Sequence, residues 1–362
     1  MTRPARARID LAALRHNFAV LAGRAGDSQC YGVIKADGYG HGIGQVARAL
    51  ETAPKFAVAY LQEALRIREA GIDKPVLLLE GVFGAAELPI CAAQGFEVML
   101  HAWAQIEDLA QAGRGDLPPL AVWLKLNTGM NRLGFAPEQA LEAVARLRTL
   151  PNVRVLGAMT HFACADDPDL THAQRQLDCL LRWRELAGPG LSYAAANSAA
   201  LIALPDARLD WVRPGIMLYG SSPFPHISAD ELGLRPVMHL QSALLATRDL
   251  KAGDTVGYGA AWRATGPSRM GVVAIGYADG YPRHAPQGTP VWVAGQRVPL
   301  IGRVSMDMIT VDLSQCPQAQ VGDPVELWGG RVSVDEVADR AGTISYELLT
   351  GVTQRVPRQY AD

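Results

Sequence analysis

The chain has 362 residues, more than a single hydrophobic core usually organises, so two domains are expected. Hydrophobic residues make up 49 % and charged residues 19 %, a balance that excludes a disordered or low-complexity chain. A formal charge of −2 with no basic block gives no footing for nucleic acid. No stretch approaches the roughly 18 apolar residues of a membrane helix.

The chain opens on MTRPARARID, which is basic but lacks a following apolar run, so no signal peptide is read there. Short apolar runs then alternate with helical patterns. Strands are predicted at Tyr31–Ile34, Phe56–Ala59, Val76–Leu79, Phe96–Leu100, Ala121–Leu126, Val155–Thr160, Ser192–Ala196 and Trp211–Val212. Helices are predicted between them, among others at Leu11–Leu21, Gly44–Leu50, Pro137–Leu147 and Leu170–Leu186. Eight such repeats over about 230 residues match the count and length of a (β/α)8 TIM-like barrel, although a doubly wound sheet also alternates. After SSPFPHISAD the texture changes. Strand-like runs at Met238–Thr247, Met270–Ile275, Val291–Val293 and Met308–Val311 are separated by Gly, Pro and Asp, with helical periodicity only at Val334–Ala341. The predicted organisation is an α/β barrel over 1–230 and a β-rich domain over 231–362. The five cysteines (Cys30, Cys91, Cys164, Cys179, Cys316) are odd in number and never form a C-x-x-C pair, so they read as reduced thiols of a cytoplasmic protein.

In a barrel the chemistry gathers at the carboxyl ends of the strands. The polar residues ending the predicted strands are Lys35, Lys125 with Asn127, His161, Asn197 with Ser198, and Arg213. This set contains a nucleophile, an acid–base group and several anion-binding groups. It holds no carboxylate pair and no H-E-x-x-H, so metal-dependent hydrolysis has little support and no metal is expected. Lys35 is the most informative. It follows the apolar YGVI and precedes ADGYGHGIG, a loop with four glycines. An amine partly removed from water gives up its proton more readily and becomes a Schiff-base nucleophile, and the glycines let a planar ligand approach the backbone. The same loop offers a rival. Gly42–Ala47 fits the loose dinucleotide pattern G-x-G-x-x-A with Glu63 about 20 residues on, which makes a dehydrogenase the alternative class. N-S-A-A (Asn197, Ser198) and R-P-G-I (Arg213, Gly215, Ile216) follow the last two strands, where barrels often bind phosphate, and Ser198 is read as opening a short helix.

VIKADGYGHG, KLNTGMNRLG, MTHFACADD, AANSAA, VRPGIMLYG, VGYGAAW, AIGYADGYPR, GRVSMDMITVDL and SYELLTGV follow one another along the chain. In that order they resemble the successive signatures of the alanine racemases. The resemblance implies a pyridoxal 5'-phosphate enzyme that interconverts L- and D-alanine by two bases, acts as a homodimer, and serves peptidoglycan supply or alanine breakdown. It makes Lys35 the Schiff-base lysine and one base, and Tyr258 of the partner subunit the other. Tyr39, Ser198, Gly215, Ile216 and Tyr346 would hold the phosphate. Arg213 would face the pyridine nitrogen with His161 beside it, and Asn197 would support the site. Arg132 and the backbone around Met306 would meet the substrate carboxylate, with Tyr277, Met306 and Asp307 also arriving from the partner. The resemblance further implies carbamylation of Lys125, with a bound chloride as the alternative, because Asn127 stands where relatives commonly carry Asp. A related decarboxylase and a non-catalytic carrier of the cofactor fit less well. The segment GRVSMD has Ser305 where a decarboxylase should have Cys, and a carrier would need no Tyr258.

Overall fold

The computed structural model describes residues 3–113 and 118–362. Eight parallel strands close into a barrel: Gln29–Val33, Lys55–Val58, Val76–Leu78, Glu97–Leu100, Leu120–Lys125, Val153–Met159, Ser192–Ala194 and Trp211–Val212. The last pairs with the first through Gln29↔Trp211 and Cys30↔Val212, which completes the ring. Each predicted barrel strand therefore exists, displaced by at most about two residues at either end. Their near-continuous apolar character has a physical cause. A barrel strand is covered by side chains within and helices without, so both of its faces are buried. Leu11–Arg24, Ile43–Ala49, Pro137–Arg148 and Thr171–Ala187 are helices, as the 3.6-residue pattern predicted.

At the amino ends of the barrel strands, Glu97 accepts from Trp123 Nε1 at 2.8 Å and pairs with Lys55. Both charges sit at the end opposite the catalytic rim, where they satisfy each other and seal the barrel floor.

The C-terminal part is an eight-stranded sheet ordered Ser268–Val273, Ile309–Asp312, Gln296–Ile301, Pro290–Val293, Pro324–Trp328, Met238–Leu250, Arg6–Asp10 and Arg358–Ala361. The 13-residue strand Met238–Leu250 also pairs with Ser268–Val273, on the far side of an irregularity between Leu244 and Ala246. One long strand thus folds the sheet back onto itself. Arg6–Asp10 lies in this sheet, antiparallel to Met238–Leu250 and parallel to Arg358–Ala361. Its alternation points Ala7 and Ile9 into the core. Val334–Ala341 is a helix as predicted, and a second short helix, Ser345–Gly351, follows it.

Candidate active site

The polar strand-end residues converge as the barrel rule requires. Lys35, Lys125, His161, Asn197, Ser198 and Arg213 all line one cavity of about 840 Å³, together with Tyr39, Arg132, Gly215, Ile216 and Tyr346.

Lys35 sits at the head of an unusual turn. Ala36, Asp37, Gly38 and Tyr39 all have positive φ, between 51° and 63°, so the backbone runs through a left-handed turn in which only one of the four is glycine. For residues with a Cβ this conformation costs roughly 1–2 kcal/mol each, so the surroundings must hold it. They do. Ala36 N–H donates to Glu63 Oε1 at 2.6 Å, Ile43 N–H to Asp37 Oδ1 at 3.0 Å, and the Asp37 carboxylate pairs with Arg66 at 2.7 Å. His41, buried and pushed down to about 4 by desolvation, is neutral, and its Nδ1–H donates to Tyr39 O at 2.8 Å.

This geometry removes the dinucleotide reading. The helix starting at Ile43 does not spring from a tight strand–turn–helix, because the left-handed turn intervenes. Glu63 is 5 % exposed, and its second oxygen accepts from Ala59 N–H at 2.8 Å, so neither oxygen is left for a ribose hydroxyl.

After the eighth strand, which pairs with the first, Arg213 is 6 % exposed and still cationic, pushed down only to about 10 by desolvation. Its Nη2 donates to Thr160 O at 2.6 Å and Ala195 O at 3.2 Å, while buried Nη1 has no partner among the described residues. A buried charged donor left unmatched is costly, so it marks a position for an acceptor that a ligand brings. Desolvation, then Arg213, Arg132 and Lys35, push Lys125 down to about 7. Desolvation and the same cations, Lys125 first, hold His161 well below its ordinary value, so it is a neutral imidazole. Among the described lining residues the carboxylates are Glu80 and Glu347, both exposed. Four basic side chains against two solvated carboxylates make this a cavity for anions.

The phosphate-type donors also assemble. Ser198 Oγ accepts from Gly215 N–H at 2.8 Å, which leaves its own proton to give. A Cβ at Gly215 would collide with the Tyr39 hydroxyl, so glycine lets that hydroxyl approach. Tyr39 stacks on Tyr219 at 4.6 Å and lies 6.0 Å from Tyr346. Burial raises both phenols, Tyr346 to about 12, so they remain neutral donors. Ser198 does begin a helix, Ser198–Ala203, but the cap is Asn197, whose Oδ1 accepts from Ala200 N–H at 2.9 Å. Asn127 proves to be a loop organiser. Its Oδ1 accepts from Gly129 and Asn131 N–H, and its Nδ2 donates to Asn131 Oδ1 at 2.9 Å, which shapes the turn leading to Arg132.

Tyr258, Tyr277, Met306 and Asp307 are not brought to this cavity. Tyr258 is 69 %, Met306 52 % and Tyr277 38 % exposed. They share a surface organised by the 302–308 segment. Tyr277 N–H donates to Ser305 O and Ala278 N–H to Met306 O, while Gly257 and Gly259 beside Tyr258 lie against Arg303. Asp307 accepts from Arg355 at 2.6 Å. The strand-end rule, applied to the third and fourth strands as well, would have added Glu80 and His101, which also line the cavity.

The pattern described as alanine racemase, N-terminal domain, matches residues 9–223, and that of the alanine racemase C-terminal domain matches 237–360. The chain belongs to the alanine racemase family. The alanine racemase of Hahella chejuensis is 50 % identical, over 99 % of this chain and 98 % of its own. The biosynthetic alanine racemase of Pseudomonas aeruginosa is 49 % identical over 99 % of each. Its crystal structure superposes with a TM-score of 0.95 over the whole of both chains, and that of the Streptomyces coelicolor enzyme with 0.92 at 36 % identity, over 99 % of this chain and 98 % of that one. The alanine racemase fold, a parallel barrel joined to a strand-rich domain, is the fold predicted from the sequence. The activity that membership carries is an isomerase's, the interconversion of L- and D-alanine.

Proposed function

We propose that this chain racemises alanine with pyridoxal 5'-phosphate bound covalently to Lys35, in a site completed by a second copy of the chain. The observation that carries the reading is the presence, in one cation-rich cavity, of Lys35 and of buried Arg213, whose Nη1 has no partner among the described residues. The residues present suit the cofactor. Tyr39, Ser198, Tyr346 and the amide of Ile216 would hold its phosphate, with Gly215 giving its N–H to Ser198 Oγ and room to the Tyr39 hydroxyl, and Asn197 would fix the segment that presents Ser198. Arg213, which has donors only, would meet the ring nitrogen and keep it an unprotonated acceptor, with His161 alongside. When bound, the cofactor withdraws electrons from the substrate's Cα and so lets its proton leave.

The chain's own groups then divide the work. Arg132 is exposed to the cavity and makes no hydrogen bond among the described residues, so its planar fork is free for the alanine carboxylate. Lys35 Nζ takes the Cα proton from one face. The partner subunit's Tyr258 gives its hydroxyl proton to the other face, which leaves Lys35 charged and the phenol ionised. Reverse turnover or exchange with solvent restores both. Tyr258 cannot serve its own cavity, since it lies outside the lining, and its exposure suits delivery to a second chain. Tyr277, Met306 and Asp307 would travel with it. Supply of D-alanine for peptidoglycan is the role we assign, in keeping with the biosynthetic Pseudomonas relative. Among the described residues no helix is long and apolar enough to cross a membrane, and all five thiols are free. A reducing compartment, the cytoplasm, suits those thiols. Borohydride reduction of the holoenzyme followed by peptide mapping should place the label on Lys35; a label on any other lysine defeats the assignment.

Lys125 is proposed to carry a carbamate. Its neutral amine would attack carbon dioxide, form an N–C bond and release one proton, replacing a crowded cation with an anion that orients Arg132. Reaction requires the neutral amine, which predominates above about pH 7. Enzyme equilibrated with ¹³C-bicarbonate should show a carbamate carbon resonance that grows as pH rises through 7 and vanishes in Lys125→Ala. Fully active enzyme without that resonance refutes the carbamate and leaves chloride as the counter-ion.

A further inference from the structure

We propose that Glu63 is the positioning residue for Lys35, a role that rests on the assignment of Lys35 as the cofactor-bearing lysine. Glu63 does not line the cavity, so it touches neither substrate nor cofactor. Its carboxylate spans two barrel strands at their carboxyl ends. One oxygen accepts from the N–H of Ala36, immediately after Lys35 beyond the first strand, at 2.6 Å. The other accepts from Ala59, immediately after the second strand, at 2.8 Å. Both are charge-assisted bonds to backbone donors, among the stronger hydrogen bonds available to a protein. The Ala36 amide belongs to the peptide plane that leaves Lys35, so fixing it fixes the ψ of Lys35 and with it the direction in which the lysine side chain departs. That plane is also the first of the left-handed run through Ala36, Asp37, Gly38 and Tyr39, which intrinsic preference does not sustain. The same helix, Leu61–Glu69, presents Arg66 to Asp37 one residue further on. One helix therefore grips the turn at two successive residues, and the buried grip falls on the residue next to the nucleophile.

Glutamine at this position keeps the shape but turns one of the two acceptors into a donor facing an N–H. Glu63→Gln is expected to leave the fold intact and to slow covalent attachment of pyridoxal phosphate to the apo-enzyme by about tenfold or more, the scale of one charge-assisted hydrogen bond. The rate is read by borohydride trapping at timed intervals, independently of turnover. In the reconstituted enzyme kcat should fall while KM for alanine changes little, because the carboxylate-binding Arg132 is untouched. Glu63→Asp, which keeps the charge but is too short to span both amides, should also slow attachment, whereas Glu69→Gln on the exposed face of the same helix should not. Attachment at the wild-type rate in a folded Glu63→Gln or Glu63→Asp protein overturns the proposal. Loss of folding in both, read by circular dichroism, also overturns it by making the residue a structural one. A wild-type label mapping away from Lys35 would instead overturn the underlying assignment, so the two failures are separable.

Discussion

Lys35→Ala is expected to reduce racemisation by at least about 10⁴-fold, the upper end of what a single positioned acid–base group supplies, because it removes a base and the covalent anchor together. No hydrogen bond from Lys35 Nζ occurs among the described residues, so the substitution should leave the fold and the left-handed turn in place. Lys125 lines the same cavity and is the amine that could substitute, but it lies at the end of the fifth strand and Lys35 after the first. Activity of Lys35→Ala is to be assayed in both directions, alongside spectroscopic measurement of bound cofactor. Retention of covalent attachment would show that another amine takes its place and would end the assignment.

Tyr258→Phe should cost about 10²–10⁴-fold, the usual worth of one acid–base group. The equilibrium between enantiomers is fixed by chemistry, so both steady-state directions must fall together. The asymmetry appears in exchange instead. With Lys35 intact, deuterium from solvent should still enter Cα of one enantiomer, while wash-in to the other nearly vanishes. Equal residual exchange from both would mean that the two faces do not have separate bases. The substitution removes one oxygen from a side chain that is 69 % exposed on its own subunit, so the stability of the subunit should move little.

Much of this was legible in the sequence, for identifiable reasons. The barrel strands stand out because burial on both faces forces continuous apolar runs, and the rule about strand ends then points to Lys35, Lys125, His161, Asn197 and Arg213 from the sequence alone. Tyr39 and Tyr346 are reached only through the family resemblance. Tyr346 sits in a seven-residue helix too short to show periodicity. Arg6–Asp10 could be read as alternating, but its partners lie near residues 240 and 360, beyond any local pattern. The left-handed turn ran against propensity, since Ala36, Asp37 and Tyr39 all disfavour positive φ. Glu63 misleads for a different reason. Its spacing matched a ribose-binding carboxylate, and only the two backbone amides on its oxygens reveal what it holds.

The central claim, two bases contributed by two chains to one cavity, is tested most directly by mixing two inactive proteins. Lys35→Ala and Tyr258→Phe subunits should each be nearly inert alone. In a heterodimer, one site inherits both lesions and the other inherits neither. Equal mixing under full subunit exchange makes half the dimers mixed, each with one intact site of two, so activity should recover to about one quarter of wild type. Activity that stays at the level of the separate variants, although heterodimers are shown to form, would contradict the shared site.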